Sequence, residues 1–172
     1  NRMSAFNGTS VTYDSLGNVT GGVSAATLSY GANTRLAQIA EYSNDLYLTY
    51  NGLGELARTL QTTEDGCGAV SEINREYYHF APDGRALELV QEQGSRVQWD
   101  WLWLDNLPVL QFEDSYDGAG TLTNTNSRVV RLRLPGQIAL GLGAINYNYF
   151  RDYDPNVGRY RESDPIGLRG GF

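Results

Sequence analysis

Short runs of β-branched and aromatic residues alternate along the chain with turns built from Gly, Asn, Asp and Pro. The first unit is residues 11–20, where a Val-Thr-Tyr run, an Asp-Ser-Leu-Gly-Asn turn and a Val-Thr run follow one another. This order is typical of a two-stranded antiparallel hairpin. Degenerate copies of the unit occupy residues 28–36, 48–56 and 78–87. The pattern therefore predicts an all-β chain made of antiparallel hairpin repeats.

Each hairpin unit is centred on one aromatic residue. Taking Tyr13, Tyr30, Tyr50 and Phe80 as equivalent, the spacings between successive units are 17, 20 and 30 residues. Repeats of this length are typical of arrays whose members bury their faces against neighbours, rather than of a globule with one unique core. We attribute the long third spacing to a loop insertion at the Gly-rich residues 64–69.

A further hairpin is predicted over residues 87–104, with Gly94 and Ser95 as its turn. Three tryptophans at alternate positions share one face of its second strand: Trp99, Trp101 and Trp103. The opposite face holds Asp100, Leu102 and Leu104. Because cross-strand aromatic pairs bury much area, we expect the tryptophans to pack in the core or between sheets. The alternative is an exposed aromatic ladder that stacks on sugars.

Residues 113–127 are polar and rich in Gly, Asn and Thr. Such a composition is typical of an exposed loop or a poorly paired hairpin tip. We therefore divide the chain into a β-hairpin array over residues 1–112, this polar loop, and a C-terminal unit over residues 128–172.

The last residues of the chain combine strand and turn chemistry. Tyr147, Tyr149 and Tyr153 follow the period of a β-strand. The Asp-Pro-Asn-Val-Gly sequence at residues 154–158 favours a tight turn, because Pro presets its own φ and Gly accepts a positive one. A second Asp-Pro pair follows at residues 164–165.

This segment resembles the end of the core of RHS/YD-repeat proteins. The shared pattern is Tyr-x-Arg-x-Tyr-Asp-Pro at residues 149–155, Gly-Arg-aromatic at residues 158–160 and Asp-Pro-x-Gly-Leu at residues 164–168. The Trp-Leu-Asp-x-Leu-Pro-Val sequence at residues 103–109 and the Arg-x-Pro-Gly-Gln sequence at residues 133–137 resemble the same core. So many fixed positions at fixed spacing make a specific match.

The hairpin units resemble the YD repeat itself, although only Tyr13 and Asp14 keep the eponymous pair intact. The chain departs from the family between residues 109 and 133. RHS cores usually carry a further hairpin there, with a histidine- and proline-bearing motif that is not recognisable in this sequence.

The resemblance implies a function. In RHS proteins a long β-sheet winds into a hollow shell around a C-terminal toxin, and the C-terminal core segment plugs one end of the shell. That segment also cuts the chain behind itself, using an aspartate pair supported by an arginine. By this resemblance Arg151 matches the arginine and Asp164 matches one aspartate, while Pro165, Gly167 and Leu168 complete the cleavage motif.

The resemblance places a second aspartate motif past Phe172. Aspartyl cleavage requires two carboxyl groups that share one proton, whereas Asp164 alone beside Arg151 would stay ionised. We therefore expect no proteolytic activity from these residues as they stand. Asp164 and Arg151 are then either half of a self-cleavage site or an ordinary ion pair. Neither Asp152 nor Asp154 is expected within about 3 Å of Asp164, the separation of a working pair.

Composition argues against several other classes of protein. The 172 residues carry a formal net charge of −7 and only 13 Lys and Arg, which disfavours a nucleic-acid partner. Cys67 is the only cysteine and His79 the only histidine, so the sequence offers no disulfide and no imidazole pair for zinc. No phosphate-binding or dinucleotide-binding loop is recognisable. We therefore expect no cofactor and no metal.

Neither a membrane span nor a signal peptide is predicted. The most apolar run, residues 138–145, is broken by glycines and is shorter than the roughly 20 residues that a span needs. The first residues lack the apolar centre of a signal peptide. The RHS resemblance implies a secreted or cell-surface protein, so we expect the export signal to lie outside this chain.

The leading hypothesis is a structural segment of a bacterial polymorphic-toxin shell: a curved or spiralling sheet of YD repeats, with a C-terminal plug, that encloses or presents a C-terminal toxin or effector. Its partners would be that effector and other parts of the shell. The alternative is an extracellular carbohydrate-binding or adhesion module that contacts cell-surface glycans, or a β-repeat module that self-associates through its sheet edges.

Overall fold

The fold is described by a computed structural model for residues 2–22, 26–93, 95–105, 107–117, 119, 122–123, 137–140, 142, 145–148 and 151–162. Every regular element in these residues is a β-strand, and all strand pairs are antiparallel. The prediction of an all-β fold of antiparallel hairpins is therefore confirmed. No described segment forms a helix long and apolar enough to cross a membrane.

Two short hairpins open the chain. They pair β1 (Ala5–Phe6) with β2 (Thr9–Ser10) and β3 (Thr12–Tyr13) with β4 (Val19–Gly21). The second is the hairpin predicted from the first repeat. Its turn is stabilised by Asp14, whose carboxylate accepts hydrogen bonds from the backbone N–H groups of Leu16 and Asn18. These bonds favour the ionised carboxylate and hold the pKa of Asp14 below its usual value, although burial opposes them.

A nine-stranded antiparallel sheet follows, with its strands in chain order from one edge to the other. The strands are β5 (Thr27–Tyr30), β6 (Leu36–Glu41), β7 (Asn44–Tyr50), β8 (Leu56–Glu64), β9 (Val70–Phe80), β10 (Ala86–Glu92), β11 (Arg96–Leu104), β12 (Leu107–Tyr116) and β13 (Leu122–Thr123). In the described residues its two edge strands, β5 and β13, do not pair with each other, so the sheet is open.

A second, four-stranded sheet is formed by the C-terminal unit, and we call it the C-terminal sheet. Its strands, also in chain order, are β14 (Ile138–Ala139), β15 (Asn146–Asn148), β16 (Arg151–Asp154) and β17 (Arg159–Tyr160). The predicted turn between residues 154 and 158 joins β16 to β17, and Gly158 adopts a positive φ of 65° there.

The same five-residue turn follows each repeat aromatic. In each copy the first residue donates its backbone N–H to the carbonyl of the fifth, as between Asn51 and Glu55 (2.9 Å), and the fourth donates to the carbonyl of the first. The first residues of the four copies are Asp14, Gly31, Asn51 and Ala81. The alignment of repeats on their aromatic residues is therefore confirmed by identical backbone hydrogen bonding.

The loop insertion expected at residues 64–69 is wrong. The segment forms this same tight turn, with the Asp65 N–H donating to the Ala69 carbonyl at 2.9 Å, and it joins β8 directly to β9. The third spacing is long because these two strands have nine and eleven residues. The Gly-rich composition correctly predicted a turn at this place. It did not predict the lengths of the two strands, because these depend on pairing with neighbouring strands.

Thr34 occupies the turn position that elsewhere requires glycine. Its φ is 60°, whereas Gly17, Gly54 and Gly84 hold the equivalent place at 93°, 81° and 83°. A β-branched residue is strained in this left-handed region. We expect Thr34→Gly to raise the free energy of unfolding by about 0.5–1 kcal/mol, after the entropic cost of glycine is subtracted.

Urea denaturation of Thr34→Gly and of the reverse change Gly54→Thr measures this effect. No atom lies within 4 Å of a Cβ added at Gly54, so backbone strain alone should destabilise that variant. Equal stabilities for the Thr34→Gly variant and the unaltered chain would contradict the assignment of strain.

The tryptophan hairpin agrees with its prediction. Strands β10 and β11 pair through Glu92 and Arg96 around the expected turn. Trp99 and Trp101 are only 3% and 5% exposed, and the Trp103 indole N–H donates to the Ala86 carbonyl at 2.7 Å. The tryptophans therefore pack in the core, and those at 99 and 101 offer no exposed platform for a sugar.

The polar segment after residue 112 is not simply a loop. Glu113 to Tyr116 continue β12 and pair along β11, with Glu113 opposite Trp99. The Trp99 indole N–H donates to the Glu113 carboxylate at 3.0 Å, so a polar residue is held in the sheet by a buried tryptophan. The short pair of β12 with β13 agrees with the expected hairpin tip.

One hydrophobic core joins the two sheets. It contains fully buried residues of the large sheet, such as Leu36, Leu56 and Leu89, together with Ile145 and Tyr147 of the C-terminal unit. The expectation that the repeats lack a single core is therefore wrong. The C-terminal sheet covers one face of the array and supplies part of the core that the array buries.

Candidate functional site

Repeat aromatics form a ladder on the face of the array that meets the C-terminal sheet. The Tyr30 hydroxyl donates to the Val19 carbonyl, and the Tyr50 hydroxyl donates to the Leu36 carbonyl, both at 2.8 Å. Each bond joins the aromatic residue of one repeat to the first residue of the strand that follows the turn of the preceding repeat, namely β4 for Val19 and β6 for Leu36. Phe80 holds the next position and has no hydroxyl. At Phe80, therefore, the repeat aromatic cannot donate a hydroxyl hydrogen bond to the preceding repeat.

Tyr147 of the C-terminal sheet inserts at this place. Its ring centroid lies 6.5 Å from that of Tyr50 and 6.1 Å from that of Phe80. Its hydroxyl oxygen accepts a hydrogen bond from the Leu56 backbone N–H at 3.0 Å. Burial raises the pKa of Tyr147 to about 12, although the Leu56 N–H and the charge of Arg35 act against this shift. Tyr147 is thus the aromatic anchor by which the C-terminal sheet docks on the repeats.

Arg35 brings a positive charge from the repeats to this junction. Its guanidinium carbon lies 4.4 Å from the Tyr50 ring centroid and 5.9 Å from that of Tyr147. Its Nη2 donates to the Gly54 carbonyl at 2.7 Å. Stacking on two rings orients a planar guanidinium and reduces its exposure to water.

We expect Tyr147→Phe to lower the free energy of unfolding by about 1–3 kcal/mol, because the ring remains but the buried Leu56 N–H loses its acceptor. Chemical denaturation measures the change. The matched control is Tyr42→Phe, which removes a hydroxyl from a side chain that is 90% exposed and should leave stability unchanged. Equal effects of the two substitutions would contradict the anchoring role.

Strand β16 turns two carboxylates inward. Along Arg151–Asp154 burial alternates, so Asp152 and Asp154 are buried while Arg151 and Tyr153 are only partly covered. Asp152 pairs with Tyr147 across the sheet, and the two residues therefore share the face that meets the repeats. A strand with charges at period two thus places acidic groups in the core.

Asp154 and Arg161 form a buried ion pair. Their side chains are 0% and 1% exposed, and Arg161 Nη2 contacts Asp154 Oδ2. The backbone of Arg161 joins the C-terminal sheet to the first repeat hairpin: its N–H donates to the Asp152 carbonyl, and its carbonyl accepts from the Val19 N–H, both at 2.9 Å. This pair links the last described turn of the chain to its first repeat.

Asp152 and Glu162 form a second buried group, which we call the acid pair. The Asp152 backbone N–H donates to Glu162 Oε2 at 2.6 Å. Burial raises the pKa of both carboxyl groups, and the negative charge of Asp152 raises that of Glu162 further. A hydrogen bond between the two side chains favours the proton on Glu162, while the charge of Arg35 favours ionised Asp152.

Because burial and the charge of Asp152 both raise its pKa, Glu162 is the member of the acid pair that retains its proton to higher pH than a free carboxyl group does. Glu162 can therefore donate a proton, and the ionised form of Asp152, which the charge of Arg35 favours, could accept one. This is the combination that general acid–base catalysis by two carboxyl groups requires.

The predicted site residues are only partly described. Arg151 is half-buried, with its guanidinium carbon 4.0 Å from the Tyr160 ring centroid. Asp164, Pro165, Gly167 and Leu168 lie outside the described residues. The pairing of Arg151 with Asp164 therefore stays a prediction.

Sequence reasoning missed the acid pair and the ion pair. It treated Asp152 and Asp154 as neighbours of Arg151 and ignored Arg161 and Glu162. The available signal was the alternation along β16, which puts Asp152 and Asp154 on one side of the strand and Arg151 on the other. Which side is buried depends on the docking of the C-terminal sheet, and alternation alone does not report it.

No group of three or more His, Cys, Asp or Glu side chains suited to a metal ion occurs in the described ranges. No protein-family model matches the chain.

Two curated relatives match about half of the chain. Double-stranded DNA deaminase toxin A of Burkholderia cenocepacia (strain H111) is 35% identical over 101 residues, which are 55% of this chain and 6% of that protein. The uncharacterised protein YibJ of Escherichia coli (strain K12) is 51% identical over 98 residues, which are 55% of this chain and 36% of that protein. The matched part is thus a small share of either relative.

Two solved structures share the fold. The crystal structures of TcdB2-TccC3-TEV and of TcdB2-TccC3 superpose with TM-scores of 0.58 and 0.61, each at 12% sequence identity. Each likeness covers 91% of this chain and 10% of the larger one. The all-β array with its C-terminal sheet is therefore a fold that recurs inside much longer chains.

Proposed function

We propose that this chain is a wall-and-plug segment of an RHS/YD-repeat shell that encloses or presents a C-terminal toxin or effector. The observation that carries the proposal is the docking of the C-terminal sheet on the repeat ladder through Tyr147. A plug must be fixed to the wall that it closes, and a shared buried core with a specific anchor supplies that attachment.

The comparisons support a partner of this kind. One relative is named for a DNA deaminase toxin, and this chain matches only 6% of its length. Because the described residues form only repeat hairpins and the sheet docked on them, we assign this segment to the scaffold of such a toxin rather than to its active domain. Export from the cell is part of the same proposal.

Self-cleavage behind the plug is the finer part of the proposal. Asp164 lies two residues after Glu162 in the sequence, and Asp152, the other member of the acid pair, directly follows Arg151. In the proposed reaction an ionised carboxylate takes a proton from water, which attacks the peptide carbonyl, and a protonated carboxyl gives its proton to the departing amide nitrogen. One water is consumed, and a carboxylic acid and an amine are formed.

The test uses the chain extended through its natural downstream residues. We expect intact-mass analysis to show one cut after the plug, and we expect Asp164→Asn and Asp152→Asn each to abolish it. Asp83→Asn removes an exposed turn carboxylate and should cut at the unaltered rate. Cleavage retained in Asp164→Asn would refute the assignment of that residue, and no cleavage in the unaltered chain would remove self-cleavage from the proposal.

Enclosure is tested separately on the full natural protein. We expect the segment downstream of Phe172 to resist added protease, and we expect Tyr147→Ala to make it sensitive by loosening the plug. If protease cuts the downstream segment equally fast in the unaltered protein and in Tyr147→Ala, a closed shell is contradicted. This outcome does not depend on whether the chain cleaves itself.

A further inference from the structure

The outer face of β10, β11 and β12 carries an exposed apolar surface, which we call the outer patch. It is defined by four side chains that are each more than half exposed: Leu102, Leu104, Leu110 and Phe112. Leu102 pairs directly with Leu110 across the two strands, and Phe112 pairs with Asp100, so three of the four belong to two successive pairs on the same face of the sheet. Single exposed apolar residues are ordinary, but a contiguous group is typical of a binding surface.

A row of acidic side chains borders the outer patch. Cross-strand pairing runs from His79 to Glu88, from Glu88 to Asp100 and from Asp100 to Phe112, which places carboxylates and patch on one face. Asp114 lies on the same face, opposite Gln98. Thus an apolar centre and an acidic border form one continuous surface.

Within the acidic border Glu88 contacts the His79 ring, whereas Asp100 has no cationic partner among the described residues. Asp100 is hydrogen bonded by the neutral Gln98 amide at 3.1 Å, and none of the described residues forms an ion pair with it. Burial raises the pKa of Asp100, and the charges of Glu88 and Asp114 raise it further. A positively charged group bound here would relieve this repulsion.

We propose that the outer patch binds an amphipathic polypeptide segment of another protein, with apolar side chains for the centre and Lys or Arg side chains for the acidic border. The negative charge of this chain favours such a segment over a second copy of the chain. Two copies would bring their acidic borders together, and each chain already carries a net charge of −7. An anionic membrane surface is disfavoured for the same reason.

The test probe is a fluorescein-labelled peptide of Leu and Lys whose leucines share one face of a helix. A scrambled peptide of the same composition is the control for non-specific attraction to an acidic protein. Fluorescence anisotropy should show saturable binding of the first peptide only. Phe112→Ser should weaken that binding at least about tenfold, because an apolar anchor at the centre of the surface is lost.

Two further variants separate the apolar and electrostatic parts. Asp100→Asn should weaken binding and reduce its dependence on salt. Leu53→Ser, which changes a 71% exposed leucine in a turn outside the patch, should bind as the unaltered chain does. All three variants alter exposed or partly exposed positions, so each is expected to fold.

Several results would overturn the proposal. Equal binding of the two peptides, or equal weakening by Leu53→Ser and Phe112→Ser, would show general attraction to an acidic surface. A dimer in sedimentation velocity that Phe112→Ser dissociates would instead identify a second copy as the occupant. Binding to phosphatidylglycerol vesicles that Phe112→Ser abolishes would identify a membrane.

Discussion

Replacing Arg161 by methionine should lower the free energy of unfolding by about 3–5 kcal/mol, because it leaves the buried Asp154 carboxylate without its partner. The Asp154 side chain is fully buried, so water cannot replace the guanidinium. Methionine keeps the unbranched apolar part of the side chain but ends short of the guanidinium, so the double variant described below is needed to separate lost charge from lost packing. Urea denaturation followed by tryptophan fluorescence measures it as a lower midpoint at constant slope.

Two controls show whether the loss comes from an unpaired buried charge. Arg85→Met breaks an ion pair with Asp83 that is partly open to water, and it should cost no more than about 1 kcal/mol. The double change Arg161→Met with Asp154→Leu removes both buried charges and should recover much of the stability. A double variant no more stable than Arg161→Met would contradict this explanation.

Stability should fall as pH rises from about 5 towards 10, because of the acid pair. Burial and the nearby Asp152 charge raise the pKa of Glu162 from 4.5 to about 10 in the folded chain, and burial raises that of Asp152. Over this window the folded chain binds more protons than the unfolded chain. Each extra proton therefore lowers the free energy of unfolding by up to about 1.4 kcal/mol per pH unit.

Glu162→Gln is the decisive variant for this pH dependence. Glutamine keeps an oxygen for the Asp152 N–H and an amide donor for the Asp152 carboxylate, but it cannot ionise. We expect it to flatten the pH profile between 6 and 9 and to exceed the unaltered chain in stability at pH 8 by roughly 1–3 kcal/mol. The measurement is the denaturation midpoint in buffers across that range.

Asp100, whose pKa burial also raises, is present in both chains and cancels in the comparison with Glu162→Gln, and carboxylates with a lowered pKa do not affect the comparison either. Backbone hydrogen bonds lower the pKa of Asp65, and they also act on Asp14, whose pKa is likewise lowered. Because lowered groups finish ionising below about pH 5, they contribute no slope above it. A flat profile for the unaltered chain from pH 6 to 9 would show that Glu162 does not retain its proton in that range.

The repeat turns were predictable because their signals are local. A Tyr-Asp pair followed by Leu-Gly-Asn needs only its own backbone to form the turn that Asp14 begins. The tryptophan face was predictable for a similar reason, since alternation at Trp99 and Trp101 depends only on the pleat of the strand. In both cases one segment carries the whole signal.

Strand length and the candidate site were not predictable in this way. Glu113 looks like a loop residue until Trp99 lies opposite it and donates a hydrogen bond to it. Glu162 looks like a surface carboxylate until the C-terminal sheet buries it beside Asp152. These properties belong to pairs of residues from different strands, and a single segment does not contain them.

The sequence by itself determined the all-β class, the places of the repeat turns and the alternation of each strand, because backbone sterics and the period of the pleat act over a few residues. Only the tertiary structure decided which face of β16 is buried. Docking of Tyr147 at the place where Phe80 lacks a hydroxyl turns Asp152 towards the core. Burial between distant segments, with its exclusion of water, turns ordinary carboxylates into the acid pair.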